Sequence, residues 1–227
     1  MFEIKNNSYR KLIKDNLDDF EGSLREDFFE IISTFKKVYI ARGFVRDSIL
    51  QLLYNYNFPI NDLDVLIEDS DFENVFKKYS KNKSRFGGLK FDYGFFKMEV
   101  FGMDNVFYLN DFSKEEKILE NFLGGIDVST SAFAYDFWKD KLYENCALKD
   151  VKNREINLLN DHGEVVQTIV RLILHLDKIG FEIGESVLKY IKENYSPEID
   201  SEIIDFLMSK KIPYMSSLIN GKLYSIL

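Results

Sequence analysis

Apolar positions recur at helical spacing over residues 8 to 36, where Leu12, Leu17, Phe20, Leu24, Phe28, Ile31, Ile32 and Phe35 are separated by charges. That period predicts one or two amphipathic helices. The pattern changes at Val38-Tyr39-Ile40-Ala41, which reads as a short buried strand, followed by a turn at Gly43 and a helix from Phe44 to about Tyr54 carrying Val45, Ile49, Leu52 and Leu53. A second apolar strand is expected from Leu63 to Ile67, with Asp71 capping a helix to about Lys78. Leu89 to Tyr93 and Phe96 to Phe101 alternate as antiparallel strands around Gly94, and Ser113 with Glu116 has the form of a capping box opening a helix to about Phe122. Further strands are expected over Asp127 to Tyr135 and Leu142 to Tyr143. From Glu164 onward the period is helical: Val165 to Lys178, Gly184 to Asn194, Glu198 to Lys210 and a short C-terminal segment. The expected organisation is a helical segment over 1–36, a mixed α+β region over 37–160 and an all-helical region over 161–227.

Composition narrows what such a chain can do. Its 227 residues suffice for one substantial core or two small ones, and 12 Gly with 3 Pro argue against long disordered tails or low-complexity linkers. The longest nearly uncharged apolar stretches, Ile49 to Tyr54 and Val165 to Ile173, are far short of the ~20 residues a membrane-spanning helix needs. The first residues lack a basic segment followed by an apolar run, so a cytoplasmic location is expected. A single cysteine, Cys146, and two histidines, His162 and His175, cannot build a Cys/His zinc centre, so any catalytic metal must sit on carboxylates. His175 reads as a structural histidine, and Cys146 and Trp138 as packing residues. The net charge of −8 opposes a broad basic surface for nucleic acid. One local exception is the run Lys77, Lys78, Lys81, Lys83, Arg85 and Lys90, either a solvated loop or a basic groove.

Candidate chemistry begins at Asn61-Asp62-Leu63-Asp64-Val65. Two carboxylates at i and i+2 on a strand share one face and repel, an arrangement tolerated when a divalent cation neutralises them. A solvated strand end would give the same string. Glu99 lies within the apolar strand Phe95 to Phe101 and either faces water or joins Asp62 and Asp64 from a neighbouring strand. Three carboxylates around bound metal would suit in-line nucleotidyl transfer. Such chemistry also needs a phosphate cradle, which Arg42-Gly43-Phe44-Val45-Arg46-Asp47 can supply through the close approach Gly43 permits, the N–H groups of a helix start and the charge of Arg46. The alternative is a plain strand-to-helix turn with Arg46 and Asp47 paired locally.

Together these strings resemble the head and neck of the tRNA nucleotidyltransferase (CCA-adding enzyme) and bacterial poly(A) polymerase family, in the polymerase-β-like superfamily. Residues 40–50 are similar to its G-G-x-V-R-D-x-L-L, Asp62-Leu63-Asp64 to its D-x-D strand, and Met98-Glu99-Val100 to its third acidic strand. Residues 127–136 resemble R-R-D-F-T-I-N-A-L-A-Y-D without the leading arginines, 148–156 resemble G-L-x-D-L-x-x-R-x-I, and 179–183 resemble the L-G-F-x-I that ends the first neck helix. The resemblance covers about residues 37 to 195. It implies a mixed sheet flanked by helices, Mg²⁺ on Asp62 and Asp64, Glu99 assisting the acceptor side, Gly43 and Arg46 near a triphosphate, and Asp127 and Arg171 among the nucleotide contacts, the alternative for Arg171 being a helix-surface arginine paired with an acid. Departures accompany it. Arg42, a large side chain, stands at the family's first glycine, so the triphosphate either binds differently or meets the guanidinium itself, and Gly125 and Ile126 replace two arginines. Glu164, Val165 and Thr168 occupy the base-reading E-D-x-x-R positions. The chain also ends soon after the neck, which with the acidic charge makes tRNA CCA addition as such an unexpected main task. The resemblance implies an Mg²⁺-dependent enzyme that moves a nucleoside monophosphate from a triphosphate to a hydroxyl, tRNA or another RNA 3′ end being the first choice of acceptor. Transfer to a small molecule or protein, and a non-catalytic nucleotide-binding scaffold, are the alternatives.

Overall fold

A computed structural model of the protein describes residues 1–55, 59–68, 79–83 and 88–209, with residues 219, 221, 223 and 226 beyond them. The chain forms two compact units, one of Met1–Ile126 with Thr130–Leu148 and one of Asp127–Ser129 with Lys149–Leu227. Among the described residues no helix is long and apolar enough to cross a membrane. The expected helix from Asp71 to Lys78, the basic residues Lys77, Lys78 and Arg85, and most of the segment after Ser209 lie outside the described residues.

The first unit is built on strands β1 (Phe2–Ile4), β2 (Val38–Ala41), β3 (Asp62–Ile67), β4 (Leu89–Asp92), β5 (Lys97–Gly102), β6 (Phe133–Asp136) and β7 (Lys141–Glu144). They join in the order β1-β7-β6-β2-β3-β5-β4. Every pairing is antiparallel except that of β3 with β5, which is parallel and sets Asp62 opposite Lys97 and Asp64 opposite Glu99. Helices α1 (Asn7–Asp18) and α2 (Gly22–Ile32) belong to this unit. Asn6 caps α1 by accepting the Ser8 and Tyr9 N–H groups at 2.9 and 3.4 Å. The aromatic stripe faces the core: Phe20 meets Phe28, Phe44 and Phe96 edge-on at centroid distances of 5.6, 6.0 and 5.2 Å. Helix α3 (Gly43–Tyr54) follows β2 directly, as the strand-turn-helix pattern predicts.

Two expected elements take another form. Ser113 and Glu116 do make a capping box, but it closes only a single 3₁₀ turn, Lys114–Glu116, because Ile118 turns extended before α4 (Leu119–Gly124) begins. Over residues 127–135 only Phe133 onward is strand. Ser129 and Thr130 are buried in a 3₁₀ turn, where Ser129 N–H donates to the Asn157 carbonyl at 2.9 Å and its Oγ accepts from Asn157 N–H at 3.1 Å. Trp138 and Cys146 are exposed instead of packed, with Trp138 donating its indole N–H to the Phe35 carbonyl at 2.9 Å.

The second unit holds α6 (Val165–Ile179), α7 (Glu185–Asn194) and α8 (Pro197–Ser209), with α5 (Ala147–Asn153) entering it. Ile169, Leu172 and Ile173 of α6, Val187 and Ile191 of α7 and Ile203 and Leu207 of α8 are fully buried. Two short parallel strands, β8 (Glu155–Ile156) and β9 (Glu182–Ile183), precede Gly184, whose N–H donates to the Ile156 carbonyl at 2.8 Å. A Cβ at Gly184 would stand 2.6 Å from that same carbonyl oxygen and 2.0 Å from Asn157 Oδ1. Backbone cannot yield as a flexible side chain does, so Gly184→Ala is expected to destabilise the second unit by about 3 kcal/mol in chemical denaturation. An unchanged midpoint would show that this contact relaxes freely.

Candidate active site

The alternation of β3 buries Leu63 and Val65 and leaves Asp62 exposed and Asp64 half-buried. On β5, Met98 and Val100 are buried while Lys97 and Glu99 share the face of the aspartates. The parallel register therefore brings Glu99 beside Asp64, and the antiparallel register of β4 adds Lys90 opposite Glu99. Asp62, Asp64, Glu99, Arg42, Lys90 and Lys97 line one cavity of about 290 Å³. Alternation around Glu99 left both faces open to it; the pairing decides for the carboxylates.

The glycine turn stands next to them. Ala41 pairs with Asp64, so the β2-to-α3 turn begins at the acidic end of β3. Arg42 takes φ 58° and ψ −122°, a left-handed conformation that costs a non-glycine residue about 1–3 kcal/mol. Its guanidinium carbon lies 5.5 Å from the ring centroids of both Phe101 and Phe122, which orient it by cation–π attraction. Gly43 itself needs no glycine for the fold: a Cβ there would meet only Arg46 Nη2, at an ordinary 3.6 Å. Arg46 is buried and its Nε donates to Asp47 Oδ1 at 2.6 Å, the local pairing that the sequence left as an alternative. Its charge is still felt at Asp64.

Burial is the main reason the Asp64 carboxyl is pushed up to about 6; Arg42 pulls it down, Glu99 and Asp62 push it up, and Arg46 lowers it. Since the native state then holds a proton that the unfolded chain has released, stability falls as pH rises from about 4 to 6. By linkage, ionised Asp64 costs at most about 3 kcal/mol at neutral pH. Asp64→Asn is expected to flatten that part of the stability profile, measured by urea denaturation at a series of pH values; an unaltered slope would mean that Asp64 ionises without penalty. The three carboxylates offer only hard oxygen donors and have no hydrogen-bond or ion-pair partner among the described residues, which fits a divalent cation of the Mg²⁺ type. As they lie, no three acidic, histidine or cysteine side chains among the described residues already close around an ion.

No protein-family model matches the sequence, and no curated protein matches it. Solved structures do resemble it. A tRNA-processing enzyme in its apo form I aligns with 99% of this chain and 58% of its own at 16% identity and a TM-score of 0.58. The CCA-adding enzyme of Thermotoga maritima, complexed with tRNA, aligns with 91% and 53% at 18% identity and a TM-score of 0.52. A tRNA nucleotidyltransferase complexed with a primer tRNA and an incoming ATP analog gives 84% and 57% at 18% and 0.53. The fold is that of tRNA nucleotidyltransferases. The chain spans little more than half the length of these proteins.

On this tRNA nucleotidyltransferase fold, the departures have physical reasons. At Gly125 a Cβ would sit 2.3 Å from the Tyr108 ring, and Ile126 is buried, so neither position can carry an arginine without repacking. In the second unit Glu164 precedes α6, and Thr168 is buried and hydrogen-bonded to Tyr190, whose hydroxyl also donates to Asp161 at 3.2 Å. Asp127 and Arg171 also lie in that unit, where they form an ion pair with each other. Lys97 was not singled out in the sequence, and Lys90 only as part of a charge run. Their signal is the period of two that puts Lys97 with Glu99 on one face.

Proposed function

We propose that this chain is a nucleotidyltransferase that moves a nucleoside monophosphate from a nucleoside triphosphate to a hydroxyl, an RNA 3′ end such as that of tRNA being the first choice of acceptor. The observation that carries the reading is the meeting of Asp62 and Asp64 on β3 with Glu99 on its parallel neighbour at one cavity, in a fold shared with tRNA nucleotidyltransferases. Asp62 and Asp64, with Glu99 beside them, would hold Mg²⁺, which when bound draws charge from the phosphates and lowers the barrier to in-line displacement. The acceptor oxygen bonds to the α-phosphorus, the bond from that phosphorus to the pyrophosphate oxygen breaks, and the hydroxyl proton passes to a carboxylate of the cavity. Arg42, held by its two rings, and the Gly43 turn grip the triphosphate; Gly43 is glycine where neither conformation nor packing inside the protein requires it. Arg46, buried and paired with Asp47, adds its positive charge to the site from within the fold. Asp127 and Arg171 are proposed as nucleotide contacts on the resemblance of their segments. A cytoplasmic setting suits an enzyme that consumes nucleoside triphosphates.

The test is transfer of label from each α-labelled nucleoside triphosphate, with Mg²⁺, into a cell extract fractionated into RNA, protein and small molecules. Label in RNA supports the reading, and label in another fraction replaces the acceptor. A second reading, a non-catalytic nucleotide-binding scaffold, is favoured by the packed positions Gly125, Ile126 and Thr168. Under it no fraction is labelled, while calorimetry still detects nucleotide binding.

A further inference from the structure

We infer that Lys90 and Lys97 form an anion subsite that holds a phosphate group carried by the acceptor, close to the hydroxyl that is modified. This deepens the transferase reading and rests on it. Within the sheet the order β2-β3-β5-β4 puts the Arg42–Gly43 turn on one side of the aspartates and the two lysines on the other. An in-line displacement needs the donor's leaving pyrophosphate and the attacking hydroxyl on opposite sides of the reacting phosphorus. A triphosphate gripped at the turn therefore leaves the β4–β5 side for the acceptor.

Lys90 stands directly opposite Glu99, and Lys97 opposite Asp62. Cross-strand partners of opposite charge at that spacing are expected to pair. Yet neither ammonium makes an ion pair or hydrogen bond among the described residues, although both line the cavity. Two cations kept beside three carboxylates without settling on them are placed to receive an anion from outside. An acceptor bearing a neutral hydroxyl alone would gain nothing from them.

The phosphate has two possible sources, the phosphodiester of a single-stranded RNA 3′ end or a small phosphorylated molecule. Phe95 separates them. It is 79% exposed at the tip of the β4–β5 hairpin, two residues before Lys97. The tip of the hairpin is held by Tyr93 N–H donating to the Phe96 carbonyl at 2.9 Å, with Gly94 at φ 84°, a conformation glycine adopts without strain. An exposed ring beside cations is how single strands are held, by stacking a base while lysines follow the backbone; a small phosphate compound has no use for it.

The experiment measures binding of a short fluorescein-labelled single-stranded RNA by anisotropy and of adenosine 5′-monophosphate by calorimetry. The proteins are the wild type, Lys90→Gln/Lys97→Gln, Phe95→Ala and a control of equal charge, Lys11→Gln/Lys114→Gln. The lysine pair is expected to weaken binding of the phosphate-bearing probe roughly tenfold at low salt and, for RNA, to lower the salt slope by about 1.4, with the control unchanged. If Phe95→Ala weakens RNA as well, the source is RNA. If only the monophosphate binds and only the lysines matter, it is a small phosphorylated molecule. Equal binding by the lysine variant and the wild type, or no binding of either probe by the wild type, overturns the subsite even where label transfer is intact. Absence of label transfer from every nucleotide instead overturns the acceptor role together with the transferase reading. All three positions are exposed, so unchanged thermal melts will exclude unfolding as the cause.

Discussion

Asp62→Ala combined with Asp64→Ala is expected to reduce label transfer to the level without enzyme while raising the melting temperature. The two effects come from the same cluster. Activity is lost because the pair supplies the adjacent anions that would bind metal at the triphosphate. Stability is gained because Asp64 is held ionised at neutral pH against burial and against Glu99, with its carboxyl pushed up to about 6. Removing a penalty of up to about 3 kcal/mol in a chain of this size corresponds to a rise of up to about 6–12 °C. Asp62 is exposed, and its loss should add little either way. Transfer at the wild-type rate in this variant would overturn the assignment of the site, whatever the melt shows. A fall in melting temperature would mean that the carboxylates support the fold and are not strained by it.

Arg46→Ala should give the largest loss of stability in the first unit, about 3–5 kcal/mol in urea denaturation, because it leaves the buried Asp47 carboxylate without the guanidinium 2.6 Å away. Both side chains are 3% exposed, so the pair lies where a lost charge partner is felt most. The comparison that isolates the charge is Arg46→Met with Asp47→Leu. Removing both ions together leaves no buried anion facing the lost guanidinium, and the double change is expected to cost less than Arg46→Ala alone. If it costs more, the pair contributes more than mutual neutralisation.

Local pattern carried part of this structure and long-range pairing carried the rest. The strand at Val38–Ala41 and the helix after it follow from residue order alone, as do the three principal helices of the second unit, whereas the turn expected at Gly43 falls on Arg42 and Gly43 is the first residue of the helix. The side-by-side aspartates follow from the two-residue period of β3. Whether Glu99 joined them did not, since a strand has two faces and the choice depends on the parallel pairing of β3 with β5. Lys97 was hidden for the same reason. At Ser129 and Thr130 strand-like composition is overruled by hydrogen bonds to Asn157, 28 residues away from Ser129. A strand of three residues such as Phe2–Ile4 has too few positions to show a period, and its partner lies at the far end of the first unit's sequence. The segments resembling tRNA nucleotidyltransferases indicated the fold even though overall identity with the aligned structures is 16–18%.

Phe2–Ile4 has a role beyond completing the sheet. By pairing Phe2 with Glu144 and Ile4 with Leu142 it covers the outer side of β7, whose N–H and C=O groups would otherwise form an open edge. At the opposite end β4 is covered in another way: Lys83 forms an antiparallel bridge with Leu89, and Asn82 Nδ2 donates to the Lys90 carbonyl at 3.2 Å, so part of its outer row of backbone groups is already taken. Deleting the first four residues would remove one guard and leave the other. The shortened protein should then keep its carboxylate cavity yet associate with itself through β7 as its concentration rises, so aggregation would mask activity in any preparation trimmed at that end.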